Sequence, residues 1–127
     1  MRKIITIEGK QIAFQADGGT MRKYRRFFNR DFLTDLIKLE NFIKTGKTED
    51  VEMATVVENI TWVLAKRANP NIPEVDEWLE SFEDPMAIIK ASKAVFSIIT
   101  ASQQPTVQPK KNQTKVKKKN RSQRRAL

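Results

Sequence analysis

Residues 57–82 constrain the fold most, because they contain a helix end, a turn with two prolines and a helix start within a short stretch. Lys66 and Arg67 suit the last turn of a helix, where cations face the negative end of the helix dipole. Asn69-Pro70 then ends that helix, since the residue before a proline is disfavoured in the α region. Pro73 is predicted at the first position of the next helix. The stretch therefore predicts a helix–turn–helix with one tryptophan on each arm, Trp62 and Trp78.

The N-terminal residues predict a β-hairpin. Arg2–Ile7 and residues 11–16 are short β-rich runs, and Gly9 lies between them where a hairpin turn favours positive φ. A two-stranded hairpin is marginal alone, so it should lie on helices or pair with another copy.

About four helices are predicted after the hairpin. Thr20 is expected to cap a helix that runs to about Thr45, with an apolar stripe at spacings of three and four residues, and Gly46 to end it. Thr48 is expected to cap the second helix, and residues 73–82 to form a short third one. Asp84-Pro85 begins a fourth helix over residues 85–102. The predicted fold class is α+β and mostly helical.

The fourth helix is apolar around most of its circumference, so it is either central or binds a partner. In the first case it is a buried C-terminal helix of a small bundle. In the second case it exposes a partner-binding surface, for which the candidates are Ile88, Ile89, Val95, Phe96 and Ile99 on this helix, with Trp78 nearby.

The net charge of +9 comes entirely from the C-terminal segment. Residues 103–127 contain nine bases and no acid, and the segment is too poor in apolar residues to offset its chain entropy, so we expect a disordered basic tail after a domain over residues 1–102. The bases of this electrostatic tail are Lys110, Lys111, Lys115, Lys117, Lys118, Lys119, Arg121, Arg124 and Arg125.

The domain itself has a basic start and an acidic middle. Residues 1–30 carry eight bases and two acids, whereas residues 49–84 carry ten acids and two bases. Either copies of the chain meet head to tail, or the two halves pack together within one molecule.

Composition argues against catalysis. The chain has no cysteine and no histidine, which removes thiol chemistry, the usual metal ligands and the usual general base. No cofactor and no metal is expected, and the protein is not expected to be an enzyme. No stretch is long enough for a membrane span, and no signal peptide is evident.

Two blocks of the sequence resemble the tail assembly chaperones of long-tailed (siphovirus-type) phages and prophages of Gram-positive bacteria. The matching positions in the first block are Ile12, Phe14, Ala16, Gly19, Thr20, Arg22, Tyr24-Arg25, Phe28, Arg30-Asp31 and Asp35-Leu36. Those in the second are Glu58-Asn59, Ala65-Lys66, Ala68, Pro70, Ile72-Pro73, Glu77-Trp78-Leu79 and Phe82-Glu83. The chain departs from the family pattern at Asp17, Met21 and Asn29, where Thr, Pro and Gly are usual. Because asparagine tolerates the left-handed region of φ and ψ, a backbone break before Arg30 stays open.

The resemblance implies a non-enzymatic chaperone in the host cytoplasm. Such proteins keep the tape measure protein soluble, help to recruit tail tube protein and are absent from the mature virion, and a ribosomal frameshift often yields a longer product. Self-association and non-specific nucleic-acid binding by the tail are further expectations. Two alternatives stay open: a small nucleic-acid-binding regulator that uses the basic tail, and a structural component that remains in the virion. The segment Arg22–Phe27 mixes bases with aromatics as nucleic-acid grooves do, although helical spacing places Tyr24 on the inner stripe.

Overall fold

The computed structural model describes residues 1–47 and 52–102. Within these residues an antiparallel hairpin is followed by six helices, which confirms the predicted class. The elements are β1 (Arg2–Ile7), β2 (Lys10–Gln15), α1 (Thr20–Phe28), α2 (Phe32–Thr45), α3 (Met53–Ala68), α4 (Val75–Glu80), α5 (Ala87–Lys90) and α6 (Ser92–Ser102). The predicted cap at Thr48 and the basic segment 103–127 lie outside the described residues.

The hairpin turns through two residues with positive φ. Glu8 has φ 53° and Gly9 has φ 76°, a combination whose twist matches that of the flanking strands. Because the turn is so short, β2 begins at Lys10, one residue earlier than predicted, and pairs with Ile7. The inner face of the hairpin lies on α3 and places Phe14 in the core.

The predicted continuous helix over residues 20–45 is wrong, and the alternative of a break before Arg30 holds, because Asn29 interrupts the helix. Asn29 adopts the left-handed conformation (φ 55°, ψ 40°), and its N–H caps α1 by donating to the Arg25 carbonyl at 2.8 Å. Asp31 then begins α2, where its carboxylate accepts a hydrogen bond from the Thr34 N–H at 2.9 Å. Thr20 is the first residue of α1 rather than its cap. Gly46 ends α2 as predicted.

α3 is the central helix of the domain. Every residue from Asn59 to Ala65 is buried, which places this part of α3 in the interior on all sides. The helix contacts β2, α1, α2, α4, α5 and α6. A helix surrounded in this way needs apolar residues around its whole circumference, and residues 59–65 of α3 meet this need apart from Asn59 and Thr61.

The turn after α3 is held by two side chains of that helix. Asn69 leaves the helix in an extended conformation, as predicted. The Trp62 indole N–H donates to the Pro73 carbonyl at 3.0 Å, and the Lys66 ammonium donates to the Ile72 carbonyl at 2.7 Å. Because Pro73 lies in this turn, α4 begins at Val75, two residues later than predicted.

The predicted fourth helix is two helices. α5 ends at Lys90 and α6 begins at Ser92, with Ala91 between them. The break allows both short helices to lie against α3, while α6 also contacts α2 and the hairpin. Ile88 from α5 and Val95, Ile98 and Ile99 from α6 are buried in the core.

Candidate partner-binding surface

A buried polar cluster joins α1, α2 and the start of α3. The Asp35 carboxylate accepts a hydrogen bond from the Tyr24 hydroxyl at 2.6 Å and two from the Arg30 guanidinium at 2.7 and 2.9 Å. Arg30 also donates to the Glu52 carboxylate at 2.9 Å. Tyr24 and Asp35 are buried, so each satisfies a polar group of the other in the interior.

The protonation of this cluster follows from its contacts. Burial raises the pKa of Asp35, but the hydrogen bonds from Arg30 and Tyr24 outweigh that effect and hold the pKa below its usual value. Burial, together with the hydrogen bond to Asp35, raises the pKa of Tyr24 far above its usual range. The cluster therefore stays as a neutral phenol with an ion pair, and it joins α1 to α2.

A second ion pair ties the loop before α1 to the end of α3. The Arg67 guanidinium donates to the two carboxylate oxygens of Asp17 at 3.1 and 2.9 Å. Arg67 lies across Gly19, where an added Cβ would stand 2.7 Å from the guanidinium Nη2 atom. The hydrogen bonds from Arg67 lower the pKa of Asp17 to about 2. The polar cluster gives a structural role to Tyr24, Arg30 and Asp35, three matching positions of the first sequence block.

The structure buries most of the residues predicted to bind a partner. Ile88, Val95, Ile99 and Trp78 are each at most 5% exposed, because α5, α6 and α4 pack their apolar sides against α3 and its neighbours. Their predicted exposure is therefore wrong, and the buried alternative for this segment holds. Ile89 and Phe96 are half-buried and pack at the margin of the core.

An apolar strip crosses the outer side of α1, α2 and α6 instead. We define it by Met21, Leu33, Ile37 and Phe96. Met21 is 50% exposed, Leu33 is 49% exposed and Ile37 is 59% exposed. Leu33 and Ile37 are four residues apart on α2 and so lie one above the other on the same side of the helix.

Two neighbouring depressions make the strip continuous. Leu33, Ile37 and Phe96 line a groove of about 220 Å³ between α2 and α6, together with Leu36, Glu40 and Thr100. Leu33 also lines a second depression, whose other members include Met21 and Phe32. Leu33 thus stands between the two, and the apolar lining extends from α1 to α6.

Charged side chains border the strip. Arg22 and Arg25 line the depression beside Met21, and both are exposed. Glu40 borders the groove and pairs with Lys44 at 3.3 Å. An apolar centre with a polar rim is the usual composition of a protein–protein contact. In helix-in-groove contacts, the apolar side chains that enter such a groove recur every three or four residues along the bound helix.

Of the four residues of the strip, Phe96 alone was predicted from the sequence as a partner-binding residue. Leu33 and Ile37 lie beside the regular core stripe of α2, whose buried members are Phe32, Leu36 and Leu39. The sequence pattern that could have identified Leu33 and Ile37 is that they are two apolar residues one helical turn apart and outside the core stripe. Apolar residues beyond those that the core stripe requires indicate an exposed contact surface.

The basic segment Arg22–Phe27 lacks free aromatic faces. Tyr24 is fully buried, as its place on the inner stripe predicts. Phe27 is 42% exposed, but its ring meets Trp62 edge-on at 5.0 Å, and the Lys23 ammonium lies 5.1 Å from its centre. The exposed bases Arg22, Arg25 and Arg26 form the solvated flank that helical spacing predicts.

The basic start and the acidic middle of the chain pack together within one molecule. Arg30 reaches Glu52, and the Lys10 ammonium donates to the Ser81 carbonyl at 2.7 Å. The Glu8 carboxylate joins the same segments through the backbone, since it accepts hydrogen bonds from the N–H groups of Glu83 and Asp84 at 3.0 and 2.7 Å. This supports the intramolecular alternative for the two charged halves.

Among residues 1–47 and 52–102, no group of three or more acidic side chains is placed to hold a metal ion. No helix in the same part of the chain is both long and apolar enough to span a membrane. Comparison with protein-family models, curated proteins and solved structures finds no match to this chain.

Proposed function

We propose that the protein is a holding chaperone for phage tail assembly, which binds apolar helical segments of the tape measure protein through the apolar strip. The observation that carries the proposal is the strip itself: three large apolar side chains, each about half exposed, beside a groove between two helices. The order of the two sequence blocks supplies the class of client. Transient recruitment of tail tube protein and work in the host cytoplasm belong to the same proposal.

Binding by this surface needs no bond-making chemistry. Covering one half-exposed Leu, Ile or Met side chain contributes roughly 1 kcal/mol. Met21, Leu33 and Ile37 together therefore give a weak, reversible contact once the cost of association is included. Weak contacts suit a protein that must release its client when the tail is assembled, and several such contacts along a long client add up through multivalency.

The test is a pair of matched substitutions in the full chain. Ile37→Asp places a charge at the most exposed position of the strip, whereas Met86→Asp places one at a half-exposed apolar position before α5, outside the strip. A charge buried at an apolar contact should weaken client binding at least about tenfold. The measurement is the soluble fraction of co-expressed tape measure protein, with circular dichroism as the check of folding.

We expect Ile37→Asp to remain folded and to lose the client, and Met86→Asp to act as wild type. Phe96→Asp should lose the client as well. A folded Ile37→Asp variant that keeps the client as soluble as the wild type does would refute binding by the strip. If this protein is present in stoichiometric amounts in purified virions, that result would instead favour the alternative that it is a structural component of the virion.

Nucleic-acid binding rests on the basic segment 103–127, which lies outside the described residues. A nucleic-acid-binding regulator should have a higher affinity for one nucleic-acid sequence than for others, together with a steep salt dependence. Weak binding to all polyanions alike is what nine bases give whatever their purpose. Equal affinity for unrelated sequences therefore argues against the regulator.

A further inference from the structure

The outer edge of β1 carries backbone groups without partners in the hairpin. Met1 and Ala16 exchange both of their backbone hydrogen bonds at 2.9 Å, so they form a hydrogen-bonded pair of the ladder. Such pairs alternate along antiparallel strands. From the register, the odd-numbered residues of β1 therefore direct their N–H and C=O groups to β2, and Arg2, Ile4 and Thr6 direct theirs to the free edge.

A groove runs along this edge. It has a volume of about 330 Å³ and is lined on one side by Ile5, Thr6 and Ile7, and on the other by residues of α5 and α6. The helical side carries three alanines, Ala87, Ala91 and Ala94, together with Lys90, whose ammonium pairs with Asp84 at 2.7 Å. Small side chains leave room for another backbone beside β1. Ile4, on the outer side of the same strand, is 59% exposed.

Charge is distributed along β1 so that the strand complements a reversed copy of itself. Arg2 and Lys3 lie at its beginning and are exposed. Beyond its end, the carboxylates of Glu8, Glu83 and Asp84 outnumber the ammonium groups of Lys10 and Lys90. In an antiparallel pair of β1 strands, the basic beginning of one copy comes opposite the acidic end of the other. Opposite charges across a strand pair are stabilising, and like charges are destabilising.

We propose that β1 pairs antiparallel with β1 of a second copy, which joins two hairpins into a four-stranded sheet. Only registers that place even-numbered residues opposite one another align the free N–H and C=O groups. The register with Ile5 opposite Ile5 of the partner subunit meets this condition and places Arg2 opposite Glu8 of the partner subunit. On the helix-facing side, Lys3 and Ile5 of one strand then come opposite Ile7 and Ile5 of the other strand, beside the groove of the other copy, while Ile7 stays in its own core.

A dimer formed by this pairing carries two apolar strips, one on each subunit. It does not depend on the proposed function, since it rests on the β1 edge and not on the strip. A dimer of this kind also covers a strand edge that would otherwise be open to unspecific pairing.

Two pairs of variants of the full chain test the proposal. Thr6→Pro removes an N–H group of the free edge but none of the β1–β2 ladder, and Thr6→Val retains the N–H group as the matched control. The dimer dissociation constant, measured by sedimentation equilibrium, should rise at least about tenfold in Thr6→Pro and stay near wild type in Thr6→Val. A wild-type chain that is monomeric at high micromolar concentration overturns the proposal, and so does a folded Thr6→Pro variant that dimerises as tightly as Thr6→Val.

Cysteine cross-linking tests the register and stays decisive if Thr6→Pro fails to fold. The chain has no cysteine of its own, so a single introduced thiol has only its copy to react with. Ile5→Cys stands opposite itself at about 4.5 Å between Cα atoms, within disulfide range, whereas Lys3→Cys is separated from its copy by about 14 Å. We expect a covalent dimer of Ile5→Cys under mild oxidation and none of Lys3→Cys. Equal cross-linking of both variants overturns the proposed pairing.

Discussion

Removal of the Asp35 carboxylate should destabilise the fold far more than the loss of any exposed ion pair. In Asp35→Ala, three hydrogen bonds of 2.6 to 2.9 Å are lost, and the fully buried Tyr24 hydroxyl is left without its partner. An unsatisfied buried hydroxyl costs about 1 to 3 kcal/mol, and breaking a buried ion pair costs about 3 to 5 kcal/mol. The Arg30 side chain is 30% exposed and retains Glu52, which lowers the second cost. We therefore expect the free energy of unfolding to fall by about 3 kcal/mol.

A double-mutant cycle separates the hydroxyl from the ion pair. Tyr24→Phe alone should cost about 1.5 kcal/mol, because Asp35 keeps Arg30 as its partner. In the Asp35→Ala background the same change removes an unsatisfied hydroxyl and should cost nothing or stabilise, which gives a coupling energy of about 1.5 kcal/mol. The two buried tryptophans, Trp62 and Trp78, report unfolding by fluorescence in urea.

The exposed pair Glu40–Lys44 supplies the control. The Glu40 side chain is 42% exposed and the Lys44 side chain is 68% exposed, so Glu40→Ala should change the free energy of unfolding by less than about 0.5 kcal/mol. If Asp35→Ala costs no more than this control, the cluster does not stabilise the fold, and its polar residues need another explanation.

Two further predictions concern Asp17 and Asn29. The pKa of Asp17 is lowered from 3.8 to about 2 in the folded state, so its pair with Arg67 stabilises the fold above about pH 4 and loses that effect as pH falls toward 2. The difference in free energy of unfolding between wild type and Asp17→Asn, about 1 kcal/mol at neutral pH after allowance for solvent screening, should therefore shrink over that range, and a constant difference in acid would contradict the assignment. Asn29→Gly should raise the midpoint of thermal unfolding through a gain of about 0.5 kcal/mol, because φ is 55° there, and Asn29→Ala should lower it. A lower midpoint for the glycine variant would show that the Asn29 side chain contributes more than its conformation costs.

Boundaries that depend on local chemistry could be predicted well from the sequence. The end of α3 before Pro70, the end of α2 at Gly46 and the hairpin turn at Gly9 each follow from the backbone preferences of one or two residues. Residue type at such positions limits φ and ψ whatever surrounds them. The break at Asn29 was harder to predict, because asparagine permits the left-handed conformation without requiring it.

The candidate surface could not be predicted in the same way. An apolar residue has the same identity in the sequence whether it lies in the core or at the surface. For residues 85–102 the sequence therefore left two alternatives, a buried helix and an exposed partner-binding surface. Packing decided between them, since α3 occupies the centre and α5 and α6 turn their apolar sides toward it. Phe96 stayed at the margin, and Leu33 and Ile37 became exposed beside it because α6 leaves that side of α2 uncovered.

The chain by itself determined the order of its elements, the position of its charge and the absence of thiol and imidazole groups, since these depend on residue identity and on short-range conformational preference. Only the tertiary structure decided which helix is central, which polar groups meet in the interior and which apolar side chains remain in water. Those outcomes depend on how much surface the other elements can cover at once, a property of the whole assembly that no short stretch of sequence contains.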